Sequence, residues 1–231
     1  MTLHVLHLGR DGDPIAGQMA ATPDSADPFS AARMIAFRDD AGFLAGSVSL
    51  RGVVTVKSLP RSEVAVVVRG RVTAAGEQFA AGSAFVMPAG FTGTVSGDDD
   101  ATWFFTAEPP SDAPQTTVVQ RLDPTLPRSS SPGPAAEVLI GPKPSCHALN
   151  QFTGPGAMRA GVWDVMTPCE RSFVPHRIHE LMHLIEGDVT LTHRDGTVAR
   201  FRAGDTLFLP QGAPYAWKSA VPVVKFYTVS A

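Results

Sequence analysis

The fold is decided by one stretch near the C-terminal end, His176-Arg177-Ile178-His179-Glu180-Leu181-Met182-His183-Leu184-Ile185-Glu186-Gly187, followed by Asp188-Val189-Thr190-Leu191-Thr192-His193. Within it His179, Glu180 and His183 spell H-E-x-x-H. On a helix, residues i and i+4 share one face roughly 6 Å apart, and both imidazoles can reach one zinc ion. On a strand, at about 3.3 Å per residue, the same two side chains stand roughly 13 Å apart and no single ion holds both. The flanks favour the strand. Pro175 lies just upstream, and Gly187 and the β-branched run "DVTLT" follow at once. As a strand, the segment puts His179, Leu181 and His183 on one face and Glu180, Met182 and Leu184 on the other.

An internal repeat points the same way. "EVAVVVRGRVTAAGEQFAAGSAFVMPAG" and "ELMHLIEGDVTLTHRDGTVARFRAGDTLFLPQG" share a pattern of Glu, Gly, strand, turn, strand, Ala-Gly, apolar run and Pro-x-Gly. The shared positions are Glu63, Gly70, Gly82, Pro88 and Gly90 in the first copy. In the second they are Glu180, Gly187, Gly204, Pro210 and Gly212. The first copy reads Glu63-Val64-Ala65-Val66-Val67-Val68 where the second has H-E-x-x-H, and such a valine run belongs in a strand. The second copy has a longer hairpin, with Asp195-Gly196 as its expected two-residue turn. Each copy is a set of short strands separated by turn signals, as in a sandwich or barrel. Residues 108–155, with "PRSSSPGPAAE" and "GPKPS", read as a Pro/Ser/Gly-rich connection carrying one strand at Glu137-Val138-Leu139-Ile140.

Composition bounds the function. The 231 residues are 44% hydrophobic and 18% charged, with a net charge of −3. There is no basic stripe for nucleic acid and no apolar run approaching the roughly 18 residues that cross a bilayer. The start, "MTLHVLHLGRDGDP", has no basic head or long apolar stretch, so a soluble, cytoplasmic protein is expected. Cys146 and Cys169 form no C-x-x-C pair and read as reduced thiols.

The stretch from Gly204 to Gly212, "GDTLFLPQG", is similar to the second cupin motif, and Glu180 through Gly187 to the end of the first. "WKSAVPVVKFYTV" together with "GVWDVMTP" resembles the cupin subgroup that includes (S)-ureidoglycine aminohydrolases. The resemblance implies an all-β bicupin of two tandem antiparallel jelly-roll barrels. Its parts would be an N-terminal barrel with a degenerate site (1–107), the connection (108–155) and a C-terminal barrel carrying the site (156–231).

The resemblance also implies a metal site of four side chains. His176 and Glu180 match two ligand positions, Val174 and Tyr215 stand at the other two, and His179 is a further candidate ligand. One divalent ion, Mn, Fe, Ni or Zn, would suit such mixed ligands. The alternative is that His176 and Glu180 simply bond to each other in a partly polar barrel mouth. No histidine lies between His7 and His147, so the first copy cannot build such a site alone.

Glu180 and Tyr215 are the candidate catalytic residues. Trp217, Tyr215 and Met182 are the candidate substrate contacts, against a reading as ordinary core packing. Lys225, in "VVKFYTV", reads as a solvated edge charge, and His183 as a packed or interface histidine. Two functions follow: action on, or binding of, a small nitrogenous metabolite in the C-terminal barrel, as in metal-assisted hydrolysis of a ureide or amine, or a non-catalytic small-molecule-binding or structural bicupin without bound metal. The expected partner is that small molecule, with no nucleic acid and no membrane. The protein would be a monomer with paired barrels or a homodimer.

Overall fold

The computed structural model describes residues 6–8, 19–21, 24–110 and 117–230. Among them the only helices are two single turns of 3-10 type, Ser30–Ala32 and Ala136–Val138; the regular structure is otherwise strand. None of the described helices is long and apolar enough to cross a membrane.

The H-E-x-x-H segment is a strand. His179–Glu186 pairs antiparallel with Thr206–Leu209 on one side and Val223–Ser230 on the other. Glu180 stands opposite Leu209 and Val229, and the two histidines of the motif point away from it. The zinc-helix reading is thereby excluded.

The chain forms two compact units, one chiefly of residues 8–122 and 152–158, the other chiefly of 123–151 and 159–231. Each contains a seven-stranded and a four-stranded antiparallel sheet in a jelly-roll-like arrangement. In the first unit the larger sheet runs Gln120–Leu122, Ala84–Met87, Glu63–Arg69, Thr102–Ala107, Leu44–Ser49, Arg33–Arg38, Met19–Ala20. In the second it runs Leu6–Leu8, Thr206–Leu209, His179–Glu186, Val223–Ser230, Arg159–Val165, Cys146–Thr153, Ser129–Ser130. The smaller sheets are Gly52–Val56, Gly93–Gly97, Arg71–Ala74, Glu77–Ala80 and Cys169–Pro175, Pro214–Ser219, Asp188–His193, Val198–Arg202. From the second strand of each larger sheet onward the orders match strand for strand, so the repeat in the sequence is a repeat in topology.

The match extends to single atoms. A Cβ on Gly46 would lie 2.0 Å from the Met34 carbonyl oxygen, and one on Gly161 would lie 2.0 Å from that of Leu149. At both places two strands approach too closely for any side chain. Leu59 exchanges backbone hydrogen bonds with Phe91 and Gly90, at 3.0 and 2.7 Å, and His176 does so with Ala213 and Gly212 at the same two distances. Leu59 and His176 are therefore equivalent.

Each unit has its own core. In the first, Val48, Val67, Phe79, Phe85, Trp103 and Phe105 are packed together. In the second, Met182, Leu184, Leu191, Phe201, Tyr215 and Trp217 are. Burying each large apolar side chain contributes about 1.5–3 kcal/mol, which is what selects the strand register.

Three local expectations change. Residues 108–155 are more than a connection: Gln120–Leu122 joins the first unit's sheet, and Ser129–Ser130 and Cys146–Thr153 join the second's. The expected strand at 137–140 is instead the end of a 3-10 turn, with a single bridge from Leu139 to Arg171. The Val138 and Leu139 N–H groups donate within the turn, to the Ala135 and Ala136 carbonyls, so they do not extend a ladder. The Asp195-Gly196 hairpin is also wider than two residues. Gly196 donates to the His193 carbonyl at 3.0 Å, and only Gly196 of the pair has a positive φ, +89°.

Candidate functional site

The backbone folds back between two strands at His176, Arg177 and Ile178. Ala213 and Gly212 fix His176 through its own backbone, and the Gln211 side-chain amide donates to the Arg177 carbonyl at 2.9 Å. This bend brings His176 Nε2 to 3.0 Å from Glu180 Oε2. The two atoms are close but not aligned for a hydrogen bond, and Nε2 is without a hydrogen-bond partner among the described residues. On the other side of the ring, Nδ1 lies 2.9 Å from the Tyr215 hydroxyl. With the phenol donating to Nδ1, the imidazole carries its hydrogen on Nε2, facing Glu180.

The second Glu180 oxygen, Oε1, accepts a 2.8 Å hydrogen bond from Lys225 Nζ. That ammonium also contacts Met182 Sδ at 2.8 Å and lies over the rings of Trp163 and Trp217, 4.8 and 5.4 Å from their centroids. The two indoles meet edge to face, 6.4 Å apart. Arg171 lies 4.7 Å over the Tyr215 ring. Tyr215, His176, Glu180 and Lys225 thus form one chain of polar contacts. Burial alone would raise the Glu180 carboxyl, but the Lys225 ammonium and the His176 ring outweigh it and hold the group at about 2. Burial pushes the Tyr215 phenol far above its ordinary range, although nearby Arg171 opposes this.

These groups line a cavity of about 720 Å³ within the C-terminal unit. Val174, Cys169, Trp163, Arg159, Arg177 and the 132–138 segment complete its wall. That segment is tied alongside Cys169–Pro175 by Ile140 N–H donating to the Glu170 carbonyl at 2.9 Å and the Ser172 hydroxyl to the Val138 carbonyl at 3.2 Å.

The same place in the N-terminal unit is filled. Leu59 replaces His176. The pairing of Trp103 with Val67, against Lys225 with Leu184, puts an indole where the lysine stands. Glu63, equivalent to Glu180, is held by Arg33 at 2.7 Å, and Arg33 lies 4.1 Å over Phe105. Trp103 packs edge to face on Phe29 at 5.6 Å.

Comparison with known proteins gives the arrangement a family. Residues 153–227 match the model of the EutQ-like cupin domain. A crystal structure of a protein of unknown function from Pseudomonas syringae pv. tomato, of the DUF861 family, is 33% identical, with a TM-score of 0.92, over 99% of this chain and 100% of that one. The chain is a DUF861-family cupin. The cupin 2 conserved barrel domain protein of Leptotrichia buccalis has the same fold at 10% identity, with a TM-score of 0.58 over 94% of this chain and 98% of that one. So does the salicylate 1,2-dioxygenase of Pseudaminobacter salicylatoxidans, at 12% identity and a TM-score of 0.50, over 81% and 70% of the two chains. No curated protein matches the chain.

The side chains of this cupin do not fit the metal centre that its sequence suggested. Among the described residues no three of His, Cys, Asp or Glu are grouped to hold a metal ion. Val174 has no donor atom, and the Tyr215 hydroxyl is turned to His176. His179 does not join either. Its Nδ1 accepts from the Gln211 backbone N–H at 3.0 Å, its ring stacks on Phe208, and it stands on the face opposite Glu180. His176 and Glu180 remain, and Glu180 is already neutralised by an internal cation. A tight site normally needs at least three protein ligands.

Of the residues expected to contact substrate, Trp217, Tyr215 and Met182 all line the cavity. His183 is a packed histidine: buried, stacked on Phe226, with Nδ1 2.8 Å from the Thr206 hydroxyl. Burial draws it down to about 4, against the opposing pull of Asp205. Lys225 is not the expected solvated edge charge but is 7% exposed. The signal for it was present: it shares strand parity with Val223, which is fully buried. Trp163 and Arg171 carried no comparable signal, because only the sheet order brings them to Tyr215 and Lys225.

Proposed function

We propose that this cupin is a bicupin, with two tandem jelly-roll barrels, in which the C-terminal barrel binds a small metabolite without a metal ion. The observation that carries this is the continuous contact chain Tyr215–His176–Glu180–Lys225 on the wall of a cavity of about 720 Å³. The equivalent place in the other unit is closed by Trp103, Phe29 and Arg33. A cavity of this size, largely apolar with a few convergent polar groups, has the character of a metabolite site. Lys225 and Glu180 supply a fixed, internally balanced ion pair, and the Trp163 and Trp217 rings supply apolar walls. The Tyr215 oxygen, having donated its hydrogen to His176, accepts one from the ligand. That suits a nitrogenous molecule with an N–H to offer.

Hydrolysis of a small ureide or amine is the second reading, favoured by the 2.9 Å contact of Tyr215 with His176. In it Tyr215 accepts a proton from bound substrate or water as its own passes to His176 Nδ1, and Glu180 stabilises the imidazolium. Glu180 is a poor general base here, because a carboxyl held at about 2 has little affinity for a proton near neutrality.

Thermal-shift measurements on chelator-treated protein with ureido acids, amino acids and their amides test the binding reading. Saturable stabilisation that survives metal removal and is lost in Trp217→Ala supports it. Stabilisation that appears only with an added divalent ion contradicts it. Ammonia release lost in His176→Ala would favour hydrolysis over binding alone.

A further inference from the structure

We propose that the ligand of the C-terminal cavity carries a carboxylate, received by Arg171 and drawn in by Arg159 and Arg177; this rests on the cavity being a metabolite site. The charge on the wall is one-sided. Arg159, Arg171, Arg177 and Lys225 line the cavity, against Glu137 and Glu180. Glu180 is already engaged by Lys225 and His176. That leaves three guanidiniums and one carboxylate, Glu137. None of the three guanidiniums is paired to an acidic side chain among the described residues. A guanidinium keeps its charge at any accessible pH, and a cavity that withdraws it partly from water favours an anion in return.

Arg171 is the residue built for the task. It is half-buried on Cys169–Pro175, its guanidinium carbon lies 4.7 Å from the centroid of the Tyr215 ring, and the group interacts with the phenol. A guanidinium has five N–H donors, so one phenol oxygen leaves enough of the fork to meet the two oxygens of a carboxylate. Arg159 and Arg177 are exposed and add long-range attraction more than contact. The rest of the wall is apolar: Trp163, Trp217, Val174, Ile178 and Met182. An organic acid places its body there and its head on Arg171. A phosphate would ask for more donors than one inner guanidinium supplies, and a cation would meet Lys225 and Arg171.

The test compares acids with their neutral amides. Benzoate and phenylacetate are titrated by isothermal calorimetry against benzamide and phenylacetamide, with inorganic phosphate as a further probe. The acids are expected to bind at least about tenfold more tightly than the amides. Arg171→Met should erase that preference, weakening the acids far more than the amides, and Arg177→Met should reduce it less and make what remains less salt-sensitive, because the screened long-range attraction has been removed. Amides binding as tightly as acids would overturn the carboxylate assignment and leave the metabolite cavity standing. So would phosphate competing as well as benzoate, or an Arg171→Met variant that still prefers acids. Binding by neither acids nor amides would overturn both.

Discussion

Lys225 Nζ lies 2.8 Å from Glu180 Oε1, so a buried ammonium stands against the carboxylate that the cupin pattern would give to a metal ion. The two residues come from neighbouring strands, and both are less than a tenth exposed. A charge buried this far is tolerated only with a partner. The pair therefore makes a strong demand on whichever member is left when the other is removed.

Lys225→Met is expected to destabilise the protein by about 3–5 kcal/mol at neutral pH, because Glu180 is left buried and unpaired. Adding Glu180→Gln should recover a large part of that loss. Urea unfolding of the two single variants and the double variant measures the coupling. Simple additivity would show that the two groups do not interact.

Acid should act on the same pair with a definite sign. The Glu180 carboxyl is held at about 2, below the ordinary carboxylate range. Its contribution to stability is therefore present above about pH 4.3 and is lost as pH falls toward the folded value. Urea midpoints for the protein and for Glu180→Gln should converge as pH falls from 5 toward about 2. Parallel curves would contradict this.

His183 predicts a second window. Its ring is drawn down to about 4 by burial, so the unfolded chain takes up the proton first as pH falls. Stability should be complete above about pH 6.5 and fall by about 1.4 kcal/mol per pH unit as pH drops toward the folded value. His183→Gln should flatten that slope, as read from urea midpoints between the two values. An unchanged slope would assign the titration elsewhere.

Gly161→Ala should be costly, because the added carbon would meet the Leu149 carbonyl oxygen at 2.0 Å. A loss of more than about 2 kcal/mol is expected, with a similar loss for Gly46→Ala. Gly196→Ala should cost only about 1 kcal/mol, since it has open space and only an unfavourable φ. Thermal unfolding of the three variants distinguishes steric contact from backbone strain.

Much of this architecture was legible because two copies of one pattern constrain each other. "EVAVVVRG" fixes "ELMHLIEG" as a strand, and the bend that brings His176 to Glu180 follows from the turn before it. Lys225 was misread because an inward lysine on a strand looks like an edge charge until its partner is known. Arg171 and Trp163 were missed because their place beside Tyr215 and Lys225 depends on sheet order, which no local pattern encodes. The 132–138 wall was hidden inside a segment whose prolines and serines read as a connection.

The most direct test is the metal content of protein purified without a nickel column or chelator, measured by mass spectrometry alongside His176→Ala and Lys225→Met. With only His176 and Glu180 as donors among the described residues, and Lys225 serving Glu180 where it is present, substoichiometric metal is expected in all three samples, with ligand binding intact in the unaltered protein. One metal ion per chain, lost in His176→Ala, would contradict it.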